Sequence, residues 1–285
     1  MVEREVFNTG RESTWCPGCG NYLILDVLKE SLSELGYLPH QLLFISGIGQ
    51  AAKLSQYARA NTFNVLHGRT LPVATGASLT NPNLKIIAVG GDGDGYAEGG
   101  NHIIHAARRN VNITYMIHNN QIYGLTKGQL SPTTDLGSPT SSYPGESSTR
   151  PLNPIRFLLG VEASFVARGF AGNKEHLGLI LRKALQHRGF ACIDILQPCV
   201  VFNKVNTFKW YKERVYDMND AGHDPADLGE AFRLAGEWEE KIPIGIFYAQ
   251  ERPTLGDALL GTEAKALVER KPDPALVKPL LKKYF

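Results

Sequence analysis

The chain has 285 residues, enough for one large domain or two small ones, and with 43% apolar and 20% charged residues it can bury a substantial core. A formal charge of +2 offers no electrostatic footprint for nucleic acid or a membrane surface, and no apolar run approaches the ~20 residues of a membrane span. Four cysteines are too few for a disulfide scaffold, and Met1-Val2-Glu3-Arg4-Glu5 lacks a signal peptide's apolar stretch, so a reducing, cytoplasmic setting is expected.

Tyr22 to Leu35 carries Leu23, Val27, Leu28, Leu32 and Leu35 at helical spacing and stops at Gly36. Residues 42–45 read as a buried strand, Gly47-Ile48-Gly49 as a turn into a helix near 51–58, and 71–79 as a helix ended by Asn81-Pro82. A strand at 85–89, a helix from about 96 to 109 and a strand at 112–117 follow. Residues 131–151, dense in Ser, Thr, Pro and Gly, read as a loop over a site or against another subunit. Two further apolar runs, 163–166 and 191–196, flank a helix at about 174–187. This alternation predicts an α/β fold, a mostly parallel sheet with helices on both faces. Residues 1–202 are expected to form that domain, with an N-terminal cysteine segment. Residues 203–285 are expected to be a C-terminal extension, helical from about 225 to 241, packing on the domain or on a partner subunit.

The polar residues at two strand ends carry the chemistry. Gly91-Asp92-Gly93 follows one apolar run, and Asn119-Asn120-Gln121-Ile122 follows the next, with 28 residues separating Asp92 from Asn120. Both clusters would lie at the carboxyl ends of neighbouring parallel strands, where open α/β sheets bind ligands. One carboxylate, one amide oxygen and a backbone carbonyl at Ile122 make an incomplete set of hard oxygen donors. Mg²⁺ accepts such a set when phosphate oxygens and water complete its octahedron. Rival readings fail on spacing. A dinucleotide fingerprint needs glycine where Glu98 stands, and an EF-hand loop opening at Asp92 would place Tyr96 and Ile103 at ligand positions. Cys16-Pro17-Gly18-Cys19 has the spacing of thiolates on one metal centre, and by itself fits half a zinc site, a redox dithiol or an iron–sulfur centre.

The glycine–aspartate–glycine and Asn-Asn-x-Ile pair looks like the thiamine diphosphate signature. With Trp15-Cys16-Pro17-Gly18-Cys19-Gly20, Ser46-Gly47-Ile48-Gly49, Leu66-His67-Gly68-Arg69, Tyr123 to Gln129, Gln197-Pro198-Cys199 and Lys241 to Gly245, the chain resembles the β subunit of the 2-oxoacid:ferredoxin oxidoreductases from about Thr14 to Thr254. The resemblance implies the thiamine diphosphate-binding fold and oxidative decarboxylation of a 2-oxoacid to acyl-CoA and CO₂, with electrons leaving through iron–sulfur to ferredoxin. It further implies that Asp92, Asn120 and the Ile122 carbonyl hold Mg²⁺. Gly93 and Asp94 would line the diphosphate, while Ile48, Gly49, Gln50, Ala51, His67, Gly124 and Leu125 would surround the cofactor. Lys127 and Lys53, each following a cofactor loop, are the candidate contacts for a 2-oxoacid carboxylate. The glutamate that activates the cofactor is expected on a pyrimidine-binding α subunit, since Glu98 lies in the diphosphate half, so this chain by itself should be inactive.

The same resemblance implies a [4Fe-4S] cluster on Cys16, Cys19, Cys199 and a cysteine directly after Gly49. The chain departs from that pattern, because Gln50 stands at the last of these positions. Cys192 is a poor substitute: an extended strand of ~3.3 Å per residue puts it roughly 23 Å from Cys199, and a buried apolar role suits it better. The departure keeps a second reading open, a non-oxidative thiamine diphosphate-dependent decarboxylase or lyase subunit without a cluster. The cysteines count against that reading, since a simple decarboxylase needs no thiolates there.

Overall fold

The computed structural model describes residues 2–139, 145–261, 266–271 and 273–284. Its helices are α1 (Gly20–Glu34), α2 (Leu54–Tyr57), α3 (Thr70–Thr80), α4 (Gly100–Arg108), α5 (Pro154–Gly160), α6 (Lys174–Gln186), α7 (Phe208–Lys212), α8 (Leu228–Leu234), α9 (Leu255–Leu260) and α10 (Pro274–Tyr284). Its strands are β1 (Leu42–Ser46), β2 (Asn61–Asn64), β3 (Lys85–Gly91), β4 (Ile113–Asn119), β5 (Ile122–Tyr123), β6 (Gln129–Leu130), β7 (Phe165–Phe170), β8 (Phe190–Leu196), β9 (Val215–Asp217) and β10 (Ile242–Ala249). Eight of these form one sheet in the order β2-β1-β3-β4-β8-β7-β10-β9, and β5 pairs with β6 apart from it. From β2 to β7 every neighbour is parallel; β10 then runs antiparallel to β7, and β9 lies parallel to β10. No helix among the described residues is long and apolar enough to cross a membrane.

The expected covering of both faces is present. β8 is buried at every position, and its side chains alternate between two cores. Ala191, Ile193 and Ile195 pack with α1 and α6, while Phe190 and Cys192 pack with residues of α3, α4, α5 and α8. Cys192 is therefore a core residue, as its sequence context suggested. Crossover helices on both sides bury the central strands completely, which is why those strands read as unbroken apolar runs.

Several boundaries differ from expectation for identifiable reasons. The strand expected at 163–166 instead spans Phe165–Phe170, because Arg168 interrupts the apolar pattern yet is buried. Its Nε donates to Asp194 Oδ2 at 3.3 Å from the paired position on β8. Gly93–Glu98 forms a wide π-helical turn, and α4 starts only at Gly100, so the helix expected from residue 96 is in two parts. β2 has no signature in the sequence: its four residues are exposed on the sheet edge and carry no apolar alternation. Of residues 225–241 only Leu228–Leu234 is α-helical; the Asp227 side chain caps it on Glu230 N at 3.0 Å. The segment from 203 onward supplies β9 and β10 to the far end of the sheet. Residues 140–144 of the Ser/Thr/Pro/Gly loop lie outside the described residues.

His187, at the end of α6, provides a pH test of the fold. Burial, reinforced by Lys85 and Arg252, pushes it down to about 4, and its Nε2 lies 2.8 Å from Ser164 Oγ. A histidine held neutral by the fold contributes stability that is whole above its unfolded value near 6.5 and is lost as pH falls toward 4. Thermal melts should therefore drop between pH 6.5 and 4, by about 1–2 kcal/mol after allowing for partial exposure. The His187→Gln protein should show a shallower decline; equal slopes for the two would remove this assignment.

Candidate functional site

β1, β3 and β4 end side by side, Ser46 against Val89 and Gly91 against His118, so the loops that follow them share one sheet edge. Together with the turn after β2 they enclose a cavity of about 420 Å³. Ile48, Gly49, Gln50, Ala51, His67, Asp92, Asp94, Asn120, Ile122, Gly124 and Leu125 all line it. Gly93 stands just behind, under Tyr123: a Cβ on Gly93 would fall 2.1 Å from the Tyr123 ring. Neither lysine lines the cavity. Lys53 Nζ donates to Thr14 Oγ1 at 3.1 Å, and Lys127 is exposed in the turn after Gly124, with φ +71°.

Asp94 is 2% exposed and faces the neighbouring loops. Its Oδ1 accepts from Ile48 N at 3.0 Å and Gly68 N at 2.9 Å, and its Oδ2 from Thr70 Oγ1 at 3.4 Å. One carboxylate thus pins the loops after β1 and β2 to the turn after β3. Burial pushes the Asp94 carboxyl up, opposed by the two N–H groups it accepts from. Gly47 and Gly90 make the room, since a Cβ there would lie 2.1 and 2.5 Å from Asp94 Oδ2.

Asp92, equally buried, is held from below by the loop that follows β6. Ser131 Oγ and Thr133 Oγ1 converge on its Oδ2 at 2.5 and 2.7 Å. Burial pushes Asp92 up to about 6, against the pull of these hydroxyls. Thr133 Oγ1 also lies 2.9 Å from Asn119 Oδ1, so its one proton is shared between that oxygen and Asp92, and Asn119 Nδ2 donates to Asp194 Oδ1 at 3.0 Å. Gln121, at φ +59°, secures the same loop through Nε2 to Thr133 O and Asp135 Oδ1. Asn120 is left facing the cavity, its Oδ1 accepting from Ile122 N at 3.1 Å.

Sequence reasoning misses the cluster at the cavity rim. Glu98 Oε2 lies 3.1 Å from His67 Nδ1 and accepts from Tyr123 Oη at 3.2 Å. The wide turn at 93–98 is what carries Glu98 back to the cavity. Ser131 and Thr133 are missed as well, although a hydroxyl run soon after the Asn-Asn-x-Ile segment is a usable signal.

Cys16, Cys19 and Cys199 line a second, small pocket of about 40 Å³ with Trp15, Asn21, Gln50 and Gln197. Cys19 immediately precedes α1, and burial pushes its thiol up to about 11. Gln197 Nε2 donates toward its Sγ at 3.5 Å. Gln50, Asn120 and Gly124 line both this pocket and the larger cavity, so the two share a wall. Among the described residues no three His, Cys, Asp or Glu side chains stand close enough together to hold a single metal ion.

If Asp94 is the clamp on these loops, replacing it should separate hydrogen bonding from charge. Asp94→Leu leaves two buried N–H groups without an acceptor and should cost about 2–4 kcal/mol by chemical denaturation. Asp94→Asn keeps an acceptor oxygen and should cost about 1 kcal/mol. Equal losses in the two proteins would show that the carboxylate's charge, and not its hydrogen bonding, holds the loops.

Comparison with known proteins agrees with this architecture. Residues 47–195 match the family described as "Thiamine pyrophosphate enzyme, C-terminal TPP binding domain", and residues 199–263 match the family of the C-terminal part of the pyruvate ferredoxin oxidoreductase β subunit. The chain is 41% identical over 270 residues to the 2-oxoacid:ferredoxin oxidoreductase subunit beta of Saccharolobus solfataricus, spanning 90% of this chain and 86% of that one. It is 38% identical over 291 residues to 2-oxoacid:ferredoxin oxidoreductase 1, subunit beta, of Aeropyrum pernix, spanning 98% and 89%. Among solved structures it superposes on a 2-oxoglutarate:ferredoxin oxidoreductase from Magnetococcus marinus with 2-oxoglutarate, coenzyme A and succinyl-CoA bound. That match has a TM-score of 0.91 and 35% identity, and covers 98% of this chain and 96% of that one. Similarity of this extent, carried by a thiamine diphosphate-binding domain with its loops at one sheet edge, places the chain among the β subunits of the 2-oxoacid:ferredoxin oxidoreductases.

Proposed function

We propose that this chain is the thiamine diphosphate-holding subunit of a CoA-acylating 2-oxoacid:ferredoxin oxidoreductase, working with a pyrimidine-binding α subunit. One observation carries the reading: the cavity containing Asp92, Asn120 and Ile122 shares a wall with the pocket containing Cys16, Cys19 and Cys199. A non-oxidative lyase would have no use for that second pocket.

The residues fit the groups the family uses. Asp92, Asn120 and the Ile122 carbonyl would hold Mg²⁺: they supply hard oxygens at one rim and leave positions for phosphate oxygen and water. Gly93, and the backbone around Asp94 that the loops enclose, would take the diphosphate, with residues 48–51, His67, Gly124 and Leu125 against the rings. Cys16, Cys19 and Cys199 would hold the iron–sulfur cluster. Lys53 and Lys127 would meet the substrate carboxylate from outside the cavity as the partner closes over it. When bound, thiamine diphosphate supplies the carbon nucleophile and electron sink for decarboxylation, and iron–sulfur the one-electron acceptor that passes electrons to ferredoxin. The chain's own contribution is positional. Asp94 fixes the loops, Ser131 and Thr133 aim the Asp92 carboxylate, and Glu98 orients His67 through Nδ1, with its Nε2 3.9 Å from Asp94 Oδ1. In this scheme residues 1–202 are the cofactor domain, with 203–285 packing on it and toward the partner.

Two measurements test the reading. Removing the Thr133 hydroxyl in Thr133→Val should weaken Mg²⁺-dependent binding of thiamine diphosphate about 10–100-fold, read by calorimetric titration. An unchanged affinity would remove Thr133 from the metal-positioning role. The complex with its α subunit should reduce a low-potential dye only when 2-oxoacid, coenzyme A, thiamine diphosphate and Mg²⁺ are all present, and the isolated chain should not reduce it. Turnover by the isolated chain, or release of aldehyde without coenzyme A, would overturn the assignment.

A further inference from the structure

Three buried amide atoms in or beside the cysteine pocket have no hydrogen-bond partner: Gln50 Oε1, Asn21 Nδ2 and Gln197 Oε1. Leaving such atoms buried and unpaired is costly, so a cluster of them marks a place that a polar group completes. They differ in what they can offer. Asn21 presents a donor, because its Oδ1 is 2.8 Å from His118 Nδ1, and donors suit sulfur acceptors. Gln197 turns its Nε2 to Cys19 Sγ at 3.5 Å and to Pro198 O at 2.9 Å. Gln50 presents an acceptor oxygen, and its backbone is fixed by Trp15 Nε1 donating to Gln50 O at 2.8 Å, beside Cys16 in the chain. Three thiols and the buried, unpaired oxygen of Gln50 therefore belong to the lining of one pocket, together with two amide donors, of which Gln197 Nε2 is turned to the Cys19 sulfur and Asn21 Nδ2 is unpaired.

We infer that Gln50 Oε1 is the fourth protein ligand of an iron–sulfur cluster whose other ligands are Cys16, Cys19 and Cys199, which gives one iron an oxygen instead of a thiolate. The inference rests on the cluster proposed above. A neutral amide oxygen binds iron more weakly than a thiolate and carries no charge. The cluster should accordingly have one exchangeable iron and take up an electron more readily than an all-cysteine cluster in the same pocket. Because Gln50 also lines the thiamine diphosphate cavity, the distinct iron lies on the side facing the cofactor.

The test uses the α–β complex prepared anaerobically, with a Cys16→Ser/Cys19→Ser complex subtracted so that clusters of the partner do not count. Wild type should hold roughly four irons and four sulfides per β chain, with one of the four irons distinct in its Mössbauer spectrum. Gln50→Leu should fall to roughly three irons and show the EPR signal of an oxidised three-iron cluster. Gln50→Glu, which keeps an oxygen donor, should retain four. Gln50→Cys should retain four equivalent irons and shift the midpoint potential to more negative values, since the added thiolate charge opposes reduction. Four irons with an unchanged Mössbauer spectrum in Gln50→Leu would overturn the Gln50 assignment while leaving the cluster in place. No iron in wild type would overturn the cluster, and the inference with it.

Discussion

Everything at this site depends on a carboxylate that sits among backbone amides. Asp94 is buried, accepts from Ile48 N and Gly68 N, and lies against glycines at 47 and 90 that cannot carry a side chain without striking it. Parallel strands deliver their loops to one edge but do not by themselves fix the loops relative to each other. A single anion with two oxygens can do so, because its lone pairs satisfy N–H groups from two different connections at once. The cost is desolvation, visible in the upward push on the Asp94 carboxyl, and it is offset by charge-assisted hydrogen bonds. The wide turn at 93–98 is the local expression of the same requirement: it turns Asp94 toward β1 while carrying Glu98 back to the cavity rim.

A second layer of polar contacts lies beneath the cavity. From Asp92 a chain of hydrogen bonds runs through Thr133 and Asn119 to Asp194, which Arg168 and Tyr96 also engage. Arg168 is buried with its guanidinium 5.3 Å from the Trp238 ring and 5.6 Å from Phe247, so the late-chain residues close over this ion pair. Those aromatics come from the segment that also supplies β9 and β10. The C-terminal part of the chain is thus tied to the floor of the site as well as to the sheet edge.

What the sequence made readable follows from physical strength of signal. The central strands were legible because burial on both faces demands continuous apolar residues, and the ligand edge was legible because Asp92 and Asn120 follow two such runs. β2 was not, since an exposed edge strand of Asn61, Thr62, Phe63 and Asn64 needs no apolar pattern. β10 was hidden by Pro243 and Gly245, residues that argue against a strand in isolation. In the fold, Asn219 bonds both the N–H and the carbonyl of Ile246 beside Gly245, continuing the pairing of β10 on its β9 side beyond Asp217, where β9 ends. At the site, residue identities were readable where a loop glycine or a carboxylate was required. The supporting contacts of Ser131, Thr133 and Glu98 were not, because they depend on how separate segments meet in space.

The wall between the two cavities has a thermodynamic consequence. Gln50, Asn120 and Gly124 border both spaces, so a group that settles their conformation from one side alters the free energy of occupying the other. Linkage requires the effect to be mutual: whatever factor the occupant of the cysteine pocket imposes on affinity in the larger cavity, the occupant of the larger cavity imposes in return. Occupation of the two spaces is therefore one coupled equilibrium, and the order in which they fill changes the route without changing the final state.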